Sequence, residues 1–163
     1  MTHAVLSVGS NVGDRLGYLR SAVDRMQPYV GAVSPVYETP PWGPVSQPDY
    51  LNLVILASDE SADPLVWLVR AHAAEDAAGR VRDQRWGPRT LDVDVIEVDD
   101  MELNDPDLTL PHPRAAERAF ALVPWLAVDP GARLSGGSVA DLVAQLPASE
   151  ISPVHMRPDL VLR

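Results

Sequence analysis

The chain has 163 residues, 46% of them apolar and 22% charged, which suits one domain with a buried core. Its net charge of −10 argues against nucleic-acid binding, which depends on basic surface, and its apolar runs are too short to span a membrane. This length predicts a single domain over residues 1–163, and the absence of cysteine and of a visible secretory signal predicts a cytoplasmic protein. We expect it to be a monomer.

Hydrophobic spacing predicts alternating strands and helices in the first hundred residues. The predicted strands are 4–8, 33–38, 51–57 and 91–98, and the predicted helices are 13–29 and 64–78. This order is the βαββαβ pattern of a ferredoxin-like antiparallel sheet with helices packed on it. We therefore predict an α+β fold.

The remaining segments are predicted to extend that core. Apolar spacing predicts helices over 115–126 and 139–146, a C-terminal helical extension, and the proline-containing segment 147–163 is expected to be a surface tail. In the helix over 64–78, Asp63 or Ser61 is the predicted N-cap. Its predicted apolar stripe consists of Leu65, Leu68, Val69 and His72.

The most informative segment is 79–94, which reads GRVRDQRWGPRTLDVD. Asp92 and Asp94 would point to the same side of a strand, where two carboxylates repel each other unless a cation lies between them. Magnesium prefers such oxygen ligands, and the four preceding arginines suit phosphate oxygens. The alternative is an edge strand with two incidental acids beside a solvated arginine loop.

The second distinctive segment is 39–52, a proline-rich loop whose aromatic and amide side chains could bind a flat heterocycle. Alternatively, Tyr50 is a core aromatic at the start of a strand and Asn52 completes a turn. The segment 9–14 reads GSNVGD and lacks the glycine spacing of a P-loop or a dinucleotide-binding turn. We expect a tight turn and a helix cap there.

In combination these segments resemble the 6-hydroxymethyl-7,8-dihydropterin pyrophosphokinase family, in order over about residues 4 to 130. The matching segments are GSN at 9–11, TPPWGP at 39–44, QPDYLN at 47–52, GRVR at 79–82, RWGPRTLDVD at 85–94, LPHP at 110–113 and RAF at 118–120. Position 72 departs from the pattern, since His72 stands where family members often carry glutamine.

The resemblance implies transfer of a diphosphoryl group from ATP to the hydroxymethyl oxygen of the pterin, with release of AMP. It implies that Asp92 and Asp94 hold two magnesium ions and that the partners are these small molecules alone. The implied catalytic residues are Arg80, Arg82, Arg89 and Asp94; the implied pterin contacts are Thr39, Pro41, Trp42, Tyr50, Asn52 and Phe120; and the implied ATP contacts are His72, Glu75, Arg80, Arg82, Trp86, Arg89, His112 and Arg118.

Two other functions fit the same residues. A nucleotidyl transferase or cyclase would also hold two metal ions on strand carboxylates, but it would release pyrophosphate. A non-catalytic ligand-binding domain of the same fold would bind its ligand without consuming ATP.

Overall fold

The structure is a computed structural model that describes residues 1–41, 43–80 and 89–162. The strands are β1 (Thr2–Ser10), β2 (Val30–Val33), β3 (Tyr37–Thr39), β4 (Tyr50–Asp59), β5 (Asp92–Val98), β6 (Leu103–Asn104), β7 (Thr109–Leu110), β8 (Arg133–Leu134), β9 (Gly137–Ser138) and β10 (His155–Met156). The helices are α1 (Arg15–Met26), α2 (Pro64–Ala77), α3 (Ala119–Val128), α4 (Val139–Gln145) and α5 (Ala148–Ile151), with a 3-10 turn at Ala115–Glu117. No helix in the described ranges is long and apolar enough to cross a membrane.

The main sheet has six strands, and the predicted α+β class is confirmed. Five strands follow the order β10-β3-β4-β1-β5, and β2 pairs with β4 beside β3. All of these pairings are antiparallel. The two long central strands, β1 and β4, therefore carry the shorter strands on either side.

The two long helices begin at acidic caps. The Asp14 side chain accepts a hydrogen bond from the Gly17 backbone N–H, and the Asp63 side chain accepts one from Val66. Such caps satisfy backbone donors that have no partner inside the helix. Asp63 is thus the cap of α2, whereas Ser61 donates to Asp59.

The single strand predicted over 33–38 is divided into β2 and β3. Pro35 has no backbone N–H to offer the sheet, and Ser34 Oγ accepts from the Val54 backbone N–H at 2.8 Å where a strand carbonyl would otherwise do so. Residues 33 and 37 lie opposite 55 and 52, so this chain takes four steps while β4 takes three. The extra residue produces a bulge-like break.

Each face of the sheet carries its own layer of helices. One face packs against α1 and α2, and the other packs against α3 and α4. On α2 the buried stripe is Trp67, Ala71 and Ala74, whereas Val69 is 67% exposed and Leu65 is 41% exposed. The predicted stripe was therefore right at Leu68, which packs partly buried against the core, and wrong at Leu65, Val69 and His72, which are exposed. Because α2 is apolar on most of its sides, spacing alone did not identify the buried one.

The face under α3 changes character along its length. Val5, Val54 and Ile96 belong to its apolar core. Ser7, Asn52 and Asp94 lie on the same side of the sheet, each two residues away from one of these core residues and toward the same end of the sheet. This polar end of an otherwise apolar face is where the chemistry-bearing residues meet.

The C-terminal segment 147–162 packs on the domain. It contains α5 and β10, and β10 pairs with the outer edge of β3. Arg157 extends this contact, because its backbone N–H donates to Val36 O at 2.8 Å and its guanidinium donates to Glu38 at 2.7 Å. Glu38 also accepts from Arg15 of α1 at 2.7 Å.

Candidate active site

A cleft with about 550 Å³ of open space lies at the polar end of the sheet; we call it the acceptor cleft. Its lining residues are Ser7, Gly9, Thr39, Pro40, Tyr50, Asn52, Arg89, Asp92, Asp94, Arg118 and Phe120. Four of the predicted pterin contacts are therefore brought together. Pro41 instead lines a neighbouring cavity against the C-terminal segment, and Trp42 lies outside the described residues.

The amide of Asn52 is held at the bottom of this cleft. Its Nδ2 donates to Thr39 Oγ1 at 2.6 Å, and both side chains are buried. Gly9 leaves room for the other end of the amide, because a Cβ there would lie 2.7 Å from Asn52 Oδ1. The amide thus has a set orientation beside the rings of Tyr50 and Phe120, an arrangement that suits a flat ring with a polar edge.

A second and larger cleft, the nucleotide cleft, has about 1150 Å³ of open space. It is lined by six of the predicted ATP contacts, namely His72, Glu75, Arg80, Arg89, His112 and Arg118. The other two, Arg82 and Trp86, lie outside the described residues. Arg82 was also predicted as catalytic, so that role stays a prediction.

The two clefts share a wall. Four charged residues line both of them: Arg89, Asp92, Asp94 and Arg118. A ligand that reaches this wall from either cleft would therefore meet carboxylates that also face the other cleft. The sequence alone placed these residues near each other but could not show that they lie between two cavities.

Both carboxylates are paired with arginines. Asp92 accepts from Arg80 at 2.8 Å through Oδ1 and from Arg89 at 2.9 Å through Oδ2. Asp94 accepts from Arg118 at 3.2 Å. The guanidinium of Arg118 also lies 5.5 Å from the ring centroid of Phe120. Of the arginines predicted to contact ATP, the three that the structure describes, Arg80, Arg89 and Arg118, thus already lie at or beside the shared carboxylates.

Glu75 anchors one of those arginines. Its buried carboxylate accepts from the Val93 backbone N–H at 3.0 Å and pairs with Arg80. This contact ties α2 to β5 between the two aspartates. Glu75 lines the nucleotide cleft, and its predicted contact with ATP stays a prediction.

The pKa of Asp94 is strongly shifted. Burial and the neighbouring negative charge of Asp92 raise its pKa to about 7, against the opposing effect of Arg118. A divalent cation between the two carboxylates would relieve this repulsion, so the donor chemistry fits magnesium. No group of three or more metal-ligating side chains occurs in the described parts of the chain. Magnesium commonly accepts such a sparse protein set, completed by phosphate and water.

His112 offers a neutral donor to the nucleotide cleft. Burial, together with Arg118 and Arg114, lowers its pKa to about 4. Its Nδ1 accepts from the Arg114 backbone N–H at 3.2 Å, so the ring proton lies on Nε2. A neutral imidazole can therefore donate one hydrogen bond to a phosphate oxygen.

Three residues of the acceptor cleft, Ser7, Gly9 and Pro40, were not among the predicted site residues. Ser7 lies opposite Asp94 in the sheet, and Gly9 lies opposite Asp92. The available signal was a serine that interrupts the apolar run of β1 on the same side as the glycine.

Comparison with known protein families gives a match over most of the chain. Residues 5–130 match the family model of 7,8-dihydro-6-hydroxymethylpterin-pyrophosphokinase (HPPK). The chain belongs to this family. The family predicted from the sequence motifs is therefore confirmed.

Curated relatives agree over almost the whole length. The chain is 48% identical over 176 residues to the 2-amino-4-hydroxy-6-hydroxymethyldihydropteridine pyrophosphokinase of Mycobacterium tuberculosis H37Rv, covering 99% of this chain and 94% of that protein. The identically named Mycobacterium leprae protein is 52% identical over 168 residues, covering 95% and 86%. The Methylorubrum extorquens protein of that name is 39% identical, covering 95% and 100%.

Solved structures support the fold. A structure of wild-type Plasmodium falciparum HPPK-DHPS superimposes with a TM-score of 0.67 at 15% identity. The match covers 88% of this chain and 44% of that one. At this identity the likeness concerns the fold alone.

Proposed function

We propose that this chain transfers an intact diphosphoryl group from ATP to the hydroxymethyl oxygen of 6-hydroxymethyl-7,8-dihydropterin in folate biosynthesis, forming AMP and the pterin diphosphate. It is an ATP-dependent diphosphotransferase of the pyrophosphokinase family. The observation that carries the proposal is the shared wall, since Asp92 and Asp94 face both the acceptor cleft and the nucleotide cleft. This shared wall supports a phosphate chain in one cleft lying next to a hydroxyl group in the other.

The acceptor cleft would hold the pterin. The Asn52 amide would read the polar edge of the ring, with Thr39 setting its orientation, while Tyr50 and Phe120 would contact the ring itself. Stacking on aromatic side chains binds flat rings, and an oriented amide supplies the selectivity. Pro41 and Trp42 are proposed to complete this wall, as the family resemblance implies.

The nucleotide cleft would hold the triphosphate. Arg80, Arg89 and Arg118 would exchange their carboxylate partners for phosphate oxygens, and His112 would donate from Nε2. Arg82, Trp86, His72 and Glu75 are proposed to contribute as the resemblance implies.

Asp92 and Asp94 are proposed to hold two magnesium ions, which when bound neutralise negative charge on the phosphate oxygens. The hydroxymethyl oxygen would form a bond to the β-phosphorus and release its proton to solvent. The bond from the β-phosphorus to the oxygen bridging the α- and β-phosphates would break, and AMP would leave with that oxygen and the electron pair. Positioning and electrostatic stabilisation supply most of the catalysis in such transfers.

We also propose a ferredoxin-like arrangement of the main sheet. The strand order β5-β1-β4, with β2 and β3 outside β4, supports a ferredoxin-like arrangement. We propose one pyrophosphokinase domain over residues 1–163, acting as a monomer in the cytoplasm. The cysteine-free composition supports that compartment.

Incubation with magnesium, ATP and 6-hydroxymethyl-7,8-dihydropterin, followed by nucleotide chromatography, tests this function. We expect AMP to form only when the pterin is present. Release of pyrophosphate would indicate a nucleotidyl transferase instead, and binding without ATP consumption would indicate a non-catalytic domain.

A further inference from the structure

Asn11 lies between the two loops that carry the proposed substrate contacts. It follows β1 directly and is 1% exposed. On one side it meets Pro48, two residues before Tyr50 of the acceptor cleft, and on the other it meets Arg89, which lines both clefts. One buried amide therefore contacts both halves of the site.

Four hydrogen bonds hold Asn11 in this position. Its backbone N–H donates to Arg89 O at 3.1 Å, and its Oδ1 accepts from the Arg89 backbone N–H at 2.9 Å. Its Nδ2 donates to Gln47 Oε1 at 2.8 Å and to Pro48 O at 2.9 Å. Because a backbone N–H only donates and a carbonyl only accepts, these partners determine which end of the amide faces which loop.

These contacts differ from those expected of an asparagine that shapes its own turn. Such a residue bonds to backbone groups one to four positions away. The partners of the Asn11 side chain are instead 36, 37 and 78 positions along the chain. The amide therefore joins distant segments.

We propose that Asn11 is a positioning residue that couples pterin binding to nucleotide binding, an inference that rests on the proposed function. Because the amide is bonded to both loops, a ligand that shifts or fixes one loop acts through Asn11 on the position of the other. The second ligand then meets a loop that is already held in its binding position, which makes its binding tighter. The coupling is reciprocal, and such factors are typically about 5- to 150-fold.

Isothermal titration calorimetry tests this coupling without catalysis. The pterin is titrated into the full-length protein alone and into protein saturated with magnesium and α,β-methylene-ATP, which cannot release AMP. For the wild type we expect the nucleotide analogue to tighten pterin binding by at least about fivefold.

The informative variant is Asn11→Asp. The carboxylate still accepts from the Arg89 N–H, but it cannot donate to Pro48 O, so the link is cut on one side. We expect its coupling factor to fall within about twofold of unity. The matched control is Arg15→Gln, because Arg15 also holds the proline-rich loop, at Asp49 O, without contacting Arg89. It is expected to retain the coupling.

A wild-type coupling factor in Asn11→Asp would overturn the inference, and so would equal pterin affinity with and without the analogue in the wild type. If Asn11→Asp does not fold by circular dichroism, Asn11→Ala carries the same test. The AMP assay separates this inference from the proposed function. A protein that forms AMP but shows no coupling retains the function and loses the inference, whereas a protein that forms no AMP loses both.

Discussion

Gly9 and Asn52 lie opposite each other in neighbouring strands, and a Cβ at position 9 would lie 2.7 Å from Asn52 Oδ1 and 3.2 Å from the Tyr50 ring. Gly9→Ala would therefore displace the amide that we propose to read the pterin. Overpacking of this kind costs about 1–3 kcal/mol. We expect the KM for the pterin to rise by about tenfold or more, with a smaller change in the KM for ATP.

The matched control for that substitution is Gly31→Ala. A Cβ at Gly31 would make ordinary contact with Leu56 O at 3.5 Å, far from the acceptor cleft. Steady-state kinetics with each substrate varied in turn measure both variants. An unchanged pterin KM in Gly9→Ala would remove the assigned role of the Asn52 amide.

Asp94→Asn should separate activity from stability. The substitution removes a buried negative charge that Asp92 repels, so we expect a melting temperature at or above that of the wild type. It also removes a proposed magnesium ligand, whose charge stabilisation is worth several kcal/mol, so turnover should fall by about a thousandfold. Asp107→Asn, in the same cleft, is the charge-matched control.

Differential scanning fluorimetry and an AMP assay measure the two effects. Asp107 has no assigned catalytic contact, so its variant is expected to keep most of its activity. Near-wild-type turnover in Asp94→Asn would contradict the metal assignment.

His112 is expected to act as a neutral donor. His112→Ala removes one hydrogen bond to a charged phosphate, which is worth about 1.5–3 kcal/mol, so kcat/KM should fall by about ten- to hundredfold. His112→Gln can donate from a similar position and should recover part of this loss.

Because the pKa of His112 is about 4, its protonation should not change the rate between pH 6 and 8. A change of the rate with pH between 6 and 8 that is seen in the wild type and is absent in His112→Gln would contradict this assignment.

Asp59 is expected to make stability depend on acid pH. The Ser61 backbone N–H and Arg70, which lies over the Tyr29 ring, hold the pKa of Asp59 below its usual value. The unfolded chain therefore takes up the proton first as pH falls below about 4. This contribution to stability is present above that pH and is lost as pH falls further, through the folded pKa.

Urea denaturation at several pH values measures this effect. Asp59→Asn should be less stable at pH 7 and should show a flatter loss of stability in acid. Glu60→Gln removes the neighbouring exposed acid and is expected to follow the wild-type profile. Parallel profiles for Asp59→Asn and the wild type would show that Asp59 does not contribute.

Sequence patterns predicted those features that depend on local periodicity. The α+β class and the shared side of Asp92 and Asp94 follow from alternation along a strand, and the catalytic family follows from collinear motifs. The predicted strand over 33–38 failed at two residues. Pro35, which is visible in the sequence, offers the sheet no backbone N–H, and Ser34 replaces a strand carbonyl with its own hydroxyl. The exchange at Ser34 depends on Val54, twenty residues away, and could not be predicted from local spacing.

Other features depend on partners that spacing cannot reveal. The bonds of Asn11 reach segments that approach only in the folded chain. The two residues of β10 are too few for a periodic signal, so their pairing with β3 could not be predicted. Similarly, α2 is apolar on most of its sides, and only packing shows which side is buried.

The pairing of β10 with β3 has a further consequence for the intact protein. Without β10, the outer edge of β3 would present unpaired backbone N–H and C=O groups, the usual template for pairing with another chain. The C-terminal segment thus protects the sheet from self-association at the edge next to the acceptor cleft. A chain that ends before residue 147 would expose this unpaired strand edge. Aggregation of such a chain would lower its measured activity even with the catalytic residues intact.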